Sequence, residues 1–155
     1  MKRKIYLASS WRNEFQPAVL GTLRDHGHEV YDFRNPGPGD KGFGWSQIDP
    51  NWKSWTTDQF KEALKHPIAQ KGHRLDHDAI EWCDTGVLLL PSGSSAHLEI
   101  GLIRGAKKPT VVYAPQIREP ELMYLSLATN EEDRMNAAIF CTQMDEVLQF
   151  LKEII

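Results

Sequence analysis

The segment Leu88-Leu89-Leu90-Pro91-Ser92-Gly93-Ser94-Ser95-Ala96-His97-Leu98-Glu99-Ile100-Gly101 holds the residues best placed to do chemistry. It reads as a buried strand, a turn of small residues and a helix, with Glu99 about one turn in. Ser94 or Ser95 is placed to cap that helix, and several backbone N–H groups at its start can hold an anion or a hydroxyl. The helix dipole favours the ionised form of Glu99, and an ionised carboxylate at the mouth of a cleft is a usable nucleophile. A lone helix glutamate is ordinarily solvated surface. Here Leu98, Ile100 and Gly101 surround it, which is not the composition of a polar face. A second group, His73 and His77 at i, i+4 beside Asp76 and Asp78, superficially suggests a metal pair. It has no third spaced ligand and no HExxH pattern, so no metal is expected. Cys83 and Cys141 match no CxxC or zinc-knuckle spacing and read as buried thiols in a reducing compartment.

The elements that must position these groups alternate along the chain. Ile5-Tyr6-Leu7-Ala8 is a short apolar run ending in Ser9-Ser10, a strand opening into a turn. Phe15, Val19, Leu20 and Leu23 repeat at helical spacing, with Pro17 in the first turn and Gly27 placed like a residue just past the helix end. A second strand is expected from His28 to Phe33. From Arg34 to Trp55 the pattern changes: Asn35-Pro36-Gly37-Pro38-Gly39 holds no regular structure, yet Phe43, Trp45, Trp52 and Trp55 are too aromatic for a disordered linker. A loop of this length is usually functional. Helices are predicted over Thr57–Lys65 and Leu75–Cys83, a strand buried on both faces over Thr85–Leu90, and a helix over Ala96–Ala106. Beyond these come a strand over Pro109–Tyr113, a helix over Glu121–Ala128, a strand over Ala137–Cys141 and a closing amphipathic helix over Met144–Ile154.

That alternation predicts an α/β fold, a doubly wound five-stranded parallel sheet with helices on both faces, in one domain spanning 1–155. With the common order 2-1-3-4-5, the switch point lies between the first strand and the Val87–Leu90 strand, and ligands bind beyond their carboxyl ends. That rule selects Ser9–Asn13 and Pro91–Glu99. A domain of 155 residues buries roughly 70% of its unfolded surface, enough for a core without staples. The net charge of -3, with both signs spread along the chain, leaves no basic field to collect a nucleic acid polymer. The basic start Met1–Lys4 precedes an apolar run far too short for a signal peptide, and no segment approaches a membrane span. The expected location is the cytoplasm.

The chain resembles the nucleoside 2-deoxyribosyltransferase superfamily, which includes deoxynucleoside 5'-monophosphate N-glycosidases. The resemblance rests on Tyr6 with Ala8-Ser9-Ser10, Asp76 ahead of Cys83-Asp84, Ser94 through Gly101, Gly105-Ala106-Lys107-Lys108-Pro109 and Glu119 through Tyr124, in that order over about two thirds of the chain. It implies a flavodoxin-like fold in which the Glu99 carboxylate attacks C1' of a 2'-deoxyribonucleoside, the base departs, and a second base or water resolves the glycosyl-enzyme. Tyr6 would orient the nucleophile, and Asp76 would contact and protonate the base, with Asp78 as its alternative. No metal or organic cofactor is needed. Ser10 and Arg12 stand where the monophosphate glycosidases bind phosphate, whereas Trp11 is similar to the nucleoside transferases. The substrate-binding set is then Ser9, Ser10, Trp11, Arg12, Asp78, Ser92, Gly93, Ser94, Ser95 and, stacking from the long loop, Trp45.

Two departures bear on the reading. Gly93 stands where transferases carry an aspartate six residues before the nucleophile, and the asparagine donated by a neighbouring subunit has only Asn130 and Asn136 as candidates. The resemblance implies a homodimer or higher homo-oligomer, with Glu121–Asn136 as the donated part. The ligand is a small-molecule nucleoside or nucleotide. The monophosphate N-glycosidase is the alternative activity. A TIR-type NAD glycohydrolase, detectable by nicotinamide release, and a non-catalytic nucleotide-binding module are the remaining readings.

Overall fold

Short runs rich in Val, Ile and Leu, interrupted by helices long enough to cross back, form parallel strands. The computed structural model describes residues 1–155, which make two compact units: Met1–Tyr31 with Ile80–Ile155, and Asp32–Ala79. In the first unit, β1 (Lys4–Ala8), β2 (Glu29–Tyr31), β3 (Thr85–Leu89), β4 (Thr110–Tyr113) and β5 (Phe140–Cys141) form one all-parallel sheet in the order β2-β1-β3-β4-β5. The parallel sheet is the one expected from the alternation, and its order is the common flavodoxin-like one.

The strand period of two divides the sheet into two different faces. Ile5, Leu7, Val30, Val87, Leu89, Val111 and Cys141 point to one side. There they pack with Val19, Leu20 and Leu23 of α1 (Gln16–Asp25) and with Val147 and Leu151 of α6 (Met144–Glu153). Tyr6, Gly86 and Thr110, in register with one another, point to the other side. A Cβ on Gly86 would stand 2.7 Å from Ile100 Cδ1, 3.1 Å from Ile103 Cγ2 and 3.2 Å from Thr110 Cγ2. The missing side chain therefore lets α4 (Ser94–Gly105) settle directly on the strands.

Between β4 and β5 the expected helix over Glu121–Ala128 is a 3-10 turn, Leu122–Leu127, followed by the unpredicted short helix α5 (Glu131–Met135). Tyr124 and Leu127 are the buried pair, three apart, and threefold spacing is what a 3-10 turn satisfies. Asn130 serves as the α5 cap: its Oδ1 accepts from the Asp133 N–H at 2.8 Å. Cys83 and Cys141 are free and buried, and burial pushes both thiols up to about 11. No helix is long and apolar enough to cross a membrane.

The second unit gives the long loop a core of its own. Asp32, buried, accepts from Arg34 N–H at 3.0 Å and Asn35 Nδ2 at 2.9 Å, closing the first turn. Trp45 is the hub of an aromatic cluster, edge-on to Phe43, Trp55 and Phe60 at centroid distances of 4.7, 5.8 and 5.6 Å. Trp55 Nε1 donates to Asp49 at 2.7 Å. α2 (Thr57–Ala63) is capped by Thr56 in a capping box with Gln59. α3 runs Pro67–Trp82, starting eight residues before the predicted Leu75. Pro67 suits a first helical position, while Gly72 masks the helical pattern and is required by packing, since a Cβ there would meet the Phe43 ring at 3.1 Å.

Candidate active site

At the carboxyl edge of the sheet, the register of β1 against β3 brings the two expected segments side by side. Ser9, buried, donates from Oγ to the Leu89 carbonyl at 3.2 Å. Asn13, 2% exposed, does more. Its Nδ2 donates to the Pro91 carbonyl at 3.0 Å and the Leu89 carbonyl at 3.5 Å, while its Oδ1 accepts from Phe15 N–H at 2.8 Å. One amide thus ties the loop after β1 to the loop after β3. Ser10 is half-buried in that first loop, and Trp11 and Arg12 are exposed on it.

The second loop leads into α4. The expected serine cap is absent: Gly93, extended at φ -92, is the N-cap, no side chain caps the helix, and Ser94 and Ser95 are its exposed first two residues. The helix begins two residues earlier than predicted because an extended glycine turns the chain there without a side-chain acceptor. Ser92 is half-buried, and its hydroxyl has no hydrogen-bond partner within the chain. Glu99 is half-buried on α4, three residues after buried Ala96 and four before buried Ile103. It therefore borders the helix face that packs on the sheet. Tyr6, wholly buried on β1, shares that sheet face and stacks on Tyr31 of β2.

His97 was not singled out by the sequence. Its Nδ1 lies 2.7 Å from the Gly93 carbonyl and its Nε2 lies 2.7 Å from the Tyr124 hydroxyl. A carbonyl only accepts, so Nδ1 is the donor to Gly93, and Nε2 is left to pair with the Tyr124 hydroxyl. Burial, with the charges of Glu121 and Glu119, holds the Tyr124 phenol above its ordinary value. This chain of bonds pins the first turn of α4 to the Leu122–Leu127 turn.

The remaining expected residues belong to the second unit. Asp76 is half-buried and Asp78 exposed, both on α3. On the same helix the His73 and His77 rings stack at 5.6 Å. Trp45 is half-buried in its aromatic cluster.

Among solved structures, the chain is similar to the 2-deoxyribosyltransferase of Bacillus psychrosaccharolyticus, at 23% identity and a TM-score of 0.54 over 95% of this chain and 90% of that one. The two share a fold. A CMP N-glycosidase of Clostridium botulinum aligns at 17% identity and a TM-score of 0.45, over 98% of this chain and 99% of that one. No family model and no curated protein sequence matches. Four residues that shape the site carried no signal strong enough to be singled out: Asn13, Tyr31, Gly86 and His97. Each acts through a partner on another strand or turn, and that pairing appears only once the sheet is assembled.

Proposed function

We propose that this chain is an enzyme that cleaves the N-glycosidic bond of 2'-deoxyribonucleosides and transfers the deoxyribosyl group to another base or to water, the whole 1–155 chain acting as one catalytic domain. The observation that carries the proposal is the placement of Glu99, half-buried on the helix that follows β3, beside a small-residue loop bonded to the loop after β1. The fold shared with a 2-deoxyribosyltransferase supports it.

A Glu99 oxygen bonds to C1' as the C1'–N bond breaks, and its electron pair leaves with the base. The resemblance alone assigns the proton for the departing base to Asp76 and the orientation of the nucleophile to Tyr6. A nitrogen of a second base, or water, then bonds to C1' and releases the Glu99 carboxylate. Ser9, Ser10, Trp11, Arg12 and Ser92 to Ser95 form the sugar and 5'-end pocket in this reading, with Asp78 and Trp45 assigned to the base. No metal or organic cofactor enters the scheme. The exposed indole of Trp11 at the first turn favours a nucleoside over its bulkier, charged 5'-monophosphate.

The protein acts as a homodimer in this reading. Leu98 and Leu102 on α4, with Leu122 and Met123 of the adjoining turn, are 71%, 56%, 75% and 60% exposed, an apolar face suited to a second copy. Two unpaired, buried thiols suit the cytoplasm.

The test is chromatography of deoxynucleosides and their 5'-monophosphates after incubation, with and without a second free base. New nucleosides identify a transferase, and free base without exchange a hydrolase. Glu99→Gln should lower kcat by several orders of magnitude, roughly 10⁴-fold or more, with the fold intact. A Glu99→Gln protein with near wild-type turnover overturns the mechanism.

A further inference from the structure

Tyr6 and Tyr31 are direct register partners across β1 and β2, and their rings stack at a centroid distance of 5.3 Å with 28° between planes. On the opposite flank, the register partner of Tyr6 is Gly86, which has no side chain to offer. The space above Gly86 is occupied by Ile100 and Ile103 of α4. Of the two strands beside β1, only β2 therefore presents a ring at the level of Tyr6. Tyr31 is itself only half-buried, on a three-residue edge strand. The α4 residues that close this face, Ile100 and Ile103, stand over Gly86 and not over Tyr31, so the ring that Tyr31 is shown to meet is that of Tyr6.

We infer that Tyr31 is a positioning residue for the proposed reaction: its ring, stacked on Tyr6, sets the orientation of the tyrosine that aligns the nucleophile. The inference rests on the reading of Tyr6 given above. An aromatic stack fixes ring position because offset geometry is preferred over a narrow range of separations. A tyrosine free to tilt would carry its hydroxyl, at the far end of the ring, through a larger arc than its Cβ. Misplacement of a catalytic group by about 1 Å costs on the order of a hundredfold in rate. The loss should therefore fall on kcat and leave KM nearly unchanged.

The experiment is a double-mutant cycle on the purified enzyme, with a deoxynucleoside that the wild type turns over. Tyr31→Phe, which keeps the ring, should stay within about twofold of wild type. Tyr31→Leu should lower kcat by about ten- to a hundredfold with little change in KM. In the Tyr6→Phe background the same Tyr31→Leu change should cost less than about twofold, because no hydroxyl is left to position. Tyr31→Val, favoured in strands, is the second variant should Tyr31→Leu unfold, and is read in the same way. Equal losses from Tyr31→Leu in both backgrounds overturn the proposal, because they mark a role independent of Tyr6. Equal losses in Tyr31→Phe and Tyr31→Leu overturn it too, because the hydroxyl and not the ring would then be at work. Wild-type kcat in Tyr6→Phe alone removes the reading beneath the proposal, and that single variant separates the two failures.

Discussion

Asn13 makes the sharpest case at the scale of one residue. Its amide is buried and spans two loops, so truncation leaves the Phe15 N–H and the Pro91 and Leu89 carbonyls without this partner. Asn13→Ala should destabilise the fold by about 1–3 kcal/mol. Asn13→Asp should cost at least as much near neutral pH, since a carboxylate oxygen would then face two carbonyl oxygens in place of a donor. Thermal unfolding checks both, and unchanged melting in Asn13→Asp would show the clamp to be dispensable. At this scale the sequence was legible where a side chain advertises chemistry. Ser9 and Ser10 lie in the loop after β1 and Glu99 on α4 after β3, within the two segments that the strand-end rule selects. Asn13 lay inside the chosen segment, but its partners stand 76 and 78 residues away, beyond any local pattern.

Elements were legible in proportion to how far local periodicity determines them. Five strands and the helices after β1 and β5 follow from apolar runs and helical spacing, while the strand order is the common one for such an alternation. The start of α3 and the form of the Leu122–Leu127 turn do not, because Gly72 answers to Phe43 and the turn answers to Tyr124 and Leu127. Gly86 is the same kind of residue in a strand: within a Thr-Gly-Val-Leu-Leu run it looks like a weakness, and its purpose is set by Ile100 and Ile103. Gly86→Ala should therefore destabilise the protein by about 1–3 kcal/mol through overpacking under α4. Adding Ile100→Val, which removes the Cδ1 atom at 2.7 Å, should recover part of that loss. Chemical denaturation of the single and double variants measures it. A Gly86→Ala protein as stable as wild type would mean that Ile100 simply turns aside.

For the whole molecule, the exposed face of Leu98, Leu102, Leu122 and Met123 is the feature with the largest expected consequence. Leu102→Glu with Leu122→Glu removes only exposed apolar surface, so each chain should fold as before. The pair should shift the protein in sedimentation velocity from dimer to a 17.7 kDa monomer. Loss of turnover in that monomer, with unchanged melting, would mean that a neighbouring copy completes the site. A wild type that sediments as a monomer and is fully active removes the dimer from the account.

The place of β1 between β2 and β3 also constrains how the chain is made. Ser9 and Leu89, bonded in the finished sheet, are 80 residues apart. At ~5–20 residues per second, the ribosome delivers β3 roughly 4–16 s after β1. Throughout that interval the Ile5–Ala8 strand has β2 on one edge at most and nothing on the other. Residues 32–79, compact among themselves, are complete before β3 emerges. The nascent chain thus carries for seconds an open strand edge of unpaired backbone N–H and C=O groups between mostly apolar side chains, and it is during synthesis, more than in the finished molecule, that this protein is exposed to mispairing and to the chaperones that prevent it.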